Sequence, residues 1–528
     1  MKKRSAPSPR ALLALAAALA LSANPLWSQP ANAAGPGAPP PARAAVNDEV
    51  ASARMSPPTT QAIVDAAAAA ATPVAPGPYQ PTWESLKANY RMPQWLKDAK
   101  FGIFIHWGLY SIPAHHNEWY EQHMYGPDAA WHVEHYGALD KFGYKDFIPL
   151  FTVPKFDPDD WAVLFKQAGA RIVLPTAEHH DWFSMWDSAV TPWNAARMGP
   201  RRDIIGELAA AVRRQGMKFG VTNHSMEHYT FIAPVPPGTK TDLNDPAYAD
   251  FYWVDHSDAR LQKFFELWVA KDEELIDKYR PDVLWFDNGV NPRVLDPLKL
   301  KVAAYYYNRA LQWGKEVAIS TKFHAFLAGG ITDHERMMRA PVSLQDATWL
   351  VHDTIGSTWG YTTGMRIGGA GGFIRTIVDT VSKNGIYLLN VSPTGDGTIP
   401  DDQRRVLHEI GGWLNVNGEA IYGTRVWTRA GEGQMQFGRN QAATGKDIRF
   451  TVKGDALYAI LLGWPGNEAV ITSITPGGSS GAVQKVELLG SPGDLAFSQG
   501  ADGLRVRMPA ETPNDYAYTL KITGLGLN

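Results

Sequence analysis

Short apolar runs alternate with long amphipathic stretches through most of this chain, and each run ends in polar or aromatic residues. "FGIFIHW", "RIVLPTAEHHDWF", "KFGVTNH", "PDVLWFDNG", "EVAISTKFH" and "NGIYLLNVSP" are six such runs. Stretches such as "RRDIIGELAAAVRRQGM" and "ARLQKFFELWVAKDEELIDKYR" lie between them with apolar positions at helical spacing. Near-continuous apolar strands joined by amphipathic helices build a parallel sheet covered on both faces. No Gly-rich dinucleotide turn accompanies the units. The pattern therefore predicts an α/β fold with a closed (β/α)8-like, TIM-type barrel rather than a doubly wound sheet. No clear helix separates the last strands, which predicts an irregular barrel.

The barrel is predicted over residues 83–424. Beyond it, "DIRFTVKGDALYAILLGW", "VQKVELLG" and "YAYTLKIT" are strand-like runs separated by Gly, Pro, Asn and Asp. They predict a C-terminal β-sandwich over residues 425–528. Those strands show no cluster of exposed aromatics, so the domain reads as a brace against the barrel rather than a carbohydrate-binding module. Residues 34–82, with "GPGAPPPARAAV" and "DAAAAAATPVAPGPYQP", read as an Ala/Pro-rich disordered linker holding a weak helix around residues 61–71. Lys2, Lys3, Arg4 and Arg10 precede "ALLALAAALALSA", and Ala31-Asn32-Ala33 follows. That order predicts a cleavable signal peptide over residues 1–33 and a periplasmic or secreted protein. No later stretch is long and apolar enough to span a membrane. The absence of cysteine excludes disulfides, cysteine nucleophiles and thiolate metal sites. A net charge of -3 argues against nucleic acid as a partner.

Catalytic groups of a (β/α) barrel leave the C-terminal ends of its strands. Here the first run delivers His106 and Trp107, and the second Glu178, His179, His180 and Asp181. The third delivers Asn223 and His224, with Glu227 and His228 beyond, the fourth Asp287, and the fifth Lys322 and His324. Asp287 leaves an aromatic strand, which suits a nucleophile for an anomeric carbon. It equally suits a helix cap or an Asn-Gly turn. The histidines fit either sugar hydroxyls or a metal. A metal-dependent barrel hydrolase calls for His-x-His after an early strand, and "HWG" offers one His. Trp107, Trp119 and Trp182 favour a sugar, because aromatic faces pack on a pyranose.

"KFGIFIHWGLYSIPAHHNEWY", "AEHHDWFSMWDS", "DVLWFDNG", "STWGY", "NGIYLLNVSPTGDGTIP" and "WLNVNGEAIYGTRVW" resemble, in order, signature stretches of the α-L-fucosidases of glycoside hydrolase family 29. The resemblance implies exo-hydrolysis of terminal α-L-fucose from a fucosylated oligosaccharide or glycoconjugate. It implies retention by double displacement, with no metal or other cofactor. It assigns the nucleophile to Asp287 and fucose binding to His106, Glu118, Trp119, His179 and His180. His228 or His224 joins them from the more divergent "FGVTNHSMEHY". The family's Trp-Glu acid/base position reads Leu350 here, which carries no proton. "TDHERMM" supplies Glu335 instead, whose other reading is a loop glutamate paired with Arg336. Three alternatives stand beside this reading: a retaining glycosidase for a related sugar such as an α-L-galactoside, a non-catalytic fucose-binding protein, and a metal-dependent barrel hydrolase.

Overall fold

Eight parallel strands close a barrel in which each strand neighbours the next in sequence. They are β1 (Phe101–Ile105), β2 (Ile172–Glu178), β3 (Lys218–Asn223), β4 (Val283–Phe286), β5 (Ala318–Lys322), β6 (Ile331–Asp333), β7 (Trp349–Thr354) and β8 (Gly385–Val391). β8 returns to β1, with Phe101 opposite Tyr387 and Ile105 opposite Val391. The computed structural model describes residues 59–233, 238–337, 340–435, 442–476 and 481–527. The predicted signal peptide and residues 34–58 of the predicted linker lie outside the described residues.

Every residue of β1, β2, β7 and β8 is buried. Helices cover one face of each strand, and the packed barrel interior covers the other. Phe104, Leu174, Trp285, Leu350 and Leu388 fill that interior. The outer helices start where their sequences dictate. Asp157 accepts the amides of Asp159 and Asp160 ahead of Pro158–Gln167, and Asp203 accepts that of Gly206 ahead of Ile204–Arg214.

The barrel is irregular at β6. That strand has three residues and meets β7 through one pair, Asp333 opposite Leu350. Among the described residues, no α-helix lies in the β5–β6 or β6–β7 connections. The chain leaving β6 stays at the mouth as a single 3-10 turn, Glu335–Met337. Arg336 and Met337 hold φ of 48° and 61° there, a left-handed backbone that costs non-glycine residues about 1–2 kcal/mol each.

The helix expected around residues 61–71 is present, but from Thr59 onward the segment is docked and not the disordered linker that was expected. Gln61–Ala70 is a helix that buries Val64 and Ala67 and packs on the helices Asp258–Tyr279 and Asp296–Gln312. Alanine is small enough to let helices approach closely, and two barrel side chains fix the strap's backbone. Lys301 Nζ donates to the carbonyls of Ala68 and Ala71 at 3.1 and 3.3 Å. The Asn308 amide donates to those of Ala75 and Tyr79, both at 2.8 Å. Composition alone misses such docking, because it counts this segment's own apolar surface and not the groove it fills.

The C-terminal region forms a five-stranded and a three-stranded sheet, both antiparallel, around its own core of Phe450, Leu457, Ile471, Val506 and Leu520. It is bonded to the barrel. Arg449, fully buried on the sheet, donates through Nε to Asp379 Oδ1 of the helix Ala370–Ser382 at 2.6 Å. Lys383 Nζ reaches the other oxygen of Asp379 at 2.7 Å. Trp413 Nε1 donates to the Ala517 carbonyl at 2.9 Å. Asp379→Ala would leave a guanidinium buried without its counter-charge, a loss of about 3–5 kcal/mol. Thermal unfolding should then begin in the C-terminal sheets at a lower temperature, and an unchanged melt contradicts the brace.

Candidate active site

Each barrel strand ends by delivering a polar group to one mouth. His106 follows β1, His179 and His180 follow β2, His224 follows β3, Asp287 follows β4, Lys322 ends β5, and Glu335 follows β6. β7 and β8 contribute His352 and Asn390 from within.

Lys322 links the two candidate catalytic carboxyls. Its Nζ lies 2.6 Å from Asp287 Oδ1 and 2.9 Å from Glu335 Oε2. One atom touching both oxygens bounds their separation at about 5.5 Å. Burial works to raise the pKa of Asp287, but the Lys322 ammonium and a bond from His224 Nδ1 to Oδ2 at 2.8 Å outweigh it. The carboxyl is held well below the ordinary range and stays ionised. Burial also opposes ionisation of Glu335, and Lys322 again prevails, leaving that pKa below its usual value. Lys322 itself is pushed upward: its two carboxylate neighbours overcome the burial that would deprotonate it. Glu335 Oε1 accepts from Trp359 Nε1 at 3.1 Å. The Glu335 side chain is 18% exposed against 7% for Asp287. Glu335 therefore stands toward the entrance, where a leaving group departs, and Asp287 toward the floor.

Imidazoles surround this pair. His106 Nδ1 is 2.8 Å from Asn390 Oδ1, and the Asn390 amide donates to the Trp359 carbonyl at 2.9 Å. That orientation makes Nδ1 the donor and leaves Nε2 as an acceptor. His180 Nδ1 donates to the His224 carbonyl at 3.1 Å, and its Nε2 stands 3.7 Å from Asp287 Oδ2. The ring of His179 packs among Tyr110, His106 and His224, and among the described residues its buried Nδ1 has no hydrogen-bond partner. Burial holds His106 and His179 well below the ordinary histidine range and His180 at about 3. All three are neutral and able to exchange hydrogen bonds with hydroxyls.

Glu118 Oε2 accepts the amides of Trp359 and Gly360, both at 3.1 Å, and burial raises its pKa. Two residues of separate loops are thereby held together. The Trp119 ring stands edge-on to His180 at 6.0 Å and to Phe231 at 5.8 Å. Trp359 stacks on His352 at 4.8 Å and lies against His106 at 5.1 Å.

Several expected residues lie elsewhere. His228 bonds the His180 carbonyl through Nδ1 and the Phe251 carbonyl through Nε2, which leaves neither nitrogen for a sugar. The chain turns through Ser225–Glu227 into a short helix, and that turn carries His228 under the pocket. His224 takes the site position. Trp107 donates to the Thr394 carbonyl at 2.8 Å and packs on Phe151, Phe156 and Trp161. Trp182, at φ 57°, turns away from the mouth and lies beneath Lys271, whose Nζ is 3.0 Å from its ring centroid. Glu178 pairs with Lys271 in the same layer. Leu350 packs in the barrel interior, below the catalytic level.

His352 and Trp359 join the site although sequence reasoning assigned them no role in it; Lys322 is named there only as a group leaving the fifth strand, and His224 only as the alternative to His228. Glu227 is a third carboxyl beside Asp287. Its Oε2 is 3.5 Å from His180 Nδ1, and burial together with the Asp287 charge holds its pKa well above the carboxylate range. His180, His224 and Asp287 also converge as metal ligands would. The second oxygen of Asp287 is nevertheless occupied by the Lys322 ammonium, which repels a cation.

A barrel with two carboxyls at this separation, walled by indoles and neutral imidazoles, defines a glycoside hydrolase. Sequence profiles agree: one described as Alpha-L-fucosidase matches residues 66–419, and one described as Alpha-L-fucosidase C-terminal domain matches residues 440–523. The chain belongs to the α-L-fucosidase family. It is 32% identical to the rat tissue alpha-L-fucosidase over 478 residues, covering 85% of this chain and 94% of the rat protein. The human tissue enzyme is also 32% identical, over 475 residues, covering 85% and 93%. A Thermotoga maritima alpha-fucosidase solved in complex with fucose superposes with a TM-score of 0.66 at 32% identity, covering 84% of this chain and 99% of that one. The same organism's enzyme in complex with a mechanism-based inhibitor gives 0.67 at 31% identity, covering 84% and 100%.

Proposed function

We propose that this chain removes terminal α-L-fucose from fucosylated glycans with retention of configuration. Asp287 attacks C1 and forms a glycosyl ester as the C1–O bond to the leaving group breaks. Glu335 gives its proton to the departing oxygen, which requires bound substrate to raise the pKa that Lys322 depresses in the empty site. In the second step Glu335 takes a proton from water, the water oxygen bonds C1, and Asp287 is released. Neutral His106, His179 and His180, with Glu118, bind the hydroxyls, and Trp119 closes one side of the sugar. The Lys322 bridge is the observation that carries this reading. A separation of at most about 5.5 Å suits the roughly 5–5.5 Å of retaining enzymes and leaves no room for the water of an inverting one. Relatives crystallised with fucose and with a fucosyl-fucose azide support fucose as the sugar. Proton NMR of an aryl α-L-fucoside digest tests the reading: α-fucose should appear first, and β-fucose appearing first refutes retention.

The bridge also sets a pH dependence. Lys322 lowers the pKa of both Asp287 and Glu335, so Lys322→Met raises both. The acid limb of kcat/KM follows ionisation of Asp287, and the alkaline limb follows loss of the Glu335 proton. Both limbs should move to higher pH in the variant. An alkaline limb that stays in place separates Lys322 from the acid/base.

We also propose export, supported by the basic, apolar and Ala-x-Ala sequence of residues 1–33. Amino-terminal sequencing of the exported protein should begin after Ala33. An intact Met1 contradicts this.

A further inference from the structure

A second histidine cluster gathers His115 and His116 of the loop leading to Glu118, His123 of the helix Tyr120–Met124 and Asp128 ahead of the helix Ala129–Tyr136. His116 Nδ1 stands 2.9 Å from Asp128 Oδ2, and His123 Nδ1 stands 3.7 Å from the same oxygen. His115 Nε2 approaches the other oxygen at 3.9 Å. The ligand atoms of His116, His123 and Asp128 all fall within 4.8 Å of one another. Zinc bound at about 2.0–2.2 Å to imidazole and carboxylate sets tetrahedral ligands roughly 3.4 Å apart. The cluster is already near that size.

The local structure assembles these groups at a cost. His116 holds a left-handed φ of 60°, and Ala114 one of 46°, conformations uncommon outside glycine. Asp128 occupies the N-cap position of the helix Ala129–Tyr136, yet its carboxylate makes no cap bond there and faces the imidazoles instead. The Asp128 amide bonds the His123 carbonyl at 2.8 Å, which fixes the two ligands against each other. Among the described residues, buried His123 Nδ1 has no hydrogen-bond partner. His115 stacks on Trp131 at 3.7 Å and 7°, and the rings of His116 and His123 stand 4.2 Å apart. The His116 side chain is 45% exposed and that of Asp128 13%, which leaves a path from solvent to a sheltered carboxylate.

We propose that His115, His116, His123 and Asp128 form a binding site for a divalent first-row cation, zinc foremost, separate from the catalytic carboxyls. Imidazole with carboxylate is the donor set that such ions prefer. Bound there, the ion ties the loop that ends in Glu118 to the helix Tyr120–Met124, on either side of the two residues assigned to the sugar. No atom of the catalytic pair takes part.

The test uses untagged, chelator-stripped protein titrated with zinc chloride against a chromophoric chelator. The wild type should bind one equivalent. His123→Ala and His116→Asn should each weaken binding by at least tenfold. Asparagine tolerates a positive φ, and the metal-free variants should melt with the wild type, which separates a lost ligand from a lost fold. Zinc should also raise the melting temperature of the wild type and not of the variants. Absence of saturable binding, or equal affinity in wild type and variants, overturns the site. Displacement of the zinc by added fucose also overturns it, since that result moves the ion to His180, His224 and Asp287.

Discussion

Asp287→Gly is expected to lower turnover of an aryl α-L-fucoside by about 10⁴-fold or more, equivalent to about 5.5 kcal/mol of transition-state stabilisation. Asp287 is buried, ionised and hydrogen-bonded on both oxygens: Lys322 and the Asn288 amide reach Oδ1 at 2.6 and 2.8 Å, and His224 reaches Oδ2 at 2.8 Å. No neighbour replaces it. Burial and the Asp287 charge push the Glu227 pKa well above the carboxylate range, against the ionised form a nucleophile needs, and Glu335 stands on the far side of Lys322. Removing the carboxylate opens space on the face of C1 that Asp287 occupies. Azide, a small anion, should enter that space and restore cleavage, giving the β-fucosyl azide. Asp287→Asn keeps the volume and should be equally inactive, which removes misfolding as an explanation. Activity within tenfold of wild type in either variant contradicts the assignment.

Glu335→Ala should divide substrates by their need for a proton. General acid catalysis contributes about 10²–10⁴-fold. Natural glycans, whose leaving alkoxide is basic, should lose that factor. A dinitrophenyl fucoside leaves without a proton and should still form the glycosyl enzyme at close to the normal rate, after which hydrolysis stalls for want of a base. Azide needs no base and should relieve the stall. Glu335 is tied to Trp359 Nε1 and Lys322 Nζ, so its position depends on loops that meet only in the folded protein. In the proposed mechanism the covalent step would itself help the switch from acid to base. The Asp287 charge raises the Glu335 pKa in the free enzyme, and esterification removes that charge. Equal losses on both substrates would remove Glu335 from proton transfer.

The barrel was legible where strands are long and apolar. Six of its eight strands announce themselves as apolar runs between amphipathic helices. β6 does not, because three residues, Ile331–Asp333, carry no period. β7 does not, because His352 and Asp353 interrupt it. Asp287 was legible because a carboxylate ends an aromatic strand. Lys322 ends a strand equally visibly, but a lysine there signals nothing until both carboxyls are found beside it. His224 and His228 lie four residues apart, and only the 3-10 turn between them decides which one faces the pocket. Trp359 lies in a loop after β7, and its bond to Glu335 is a tertiary fact with no local trace. The helix Gln61–Ala70 was legible as a weak helix, but its docking was not, because its stability comes from the groove on Asp258–Tyr279 and Asp296–Gln312.

The central claim is a covalent fucosyl ester on Asp287. 2-Deoxy-2-fluoro-fucosyl fluoride tests it directly, since the ring fluorine slows both steps while the fluoride leaving group keeps the first one fast. Mass spectrometry of the inactivated protein, followed by peptide mapping, should show one added fluorofucosyl group on the peptide holding Asp287. A label on Glu335 or Glu227, or turnover of the reagent without any label, would contradict the account.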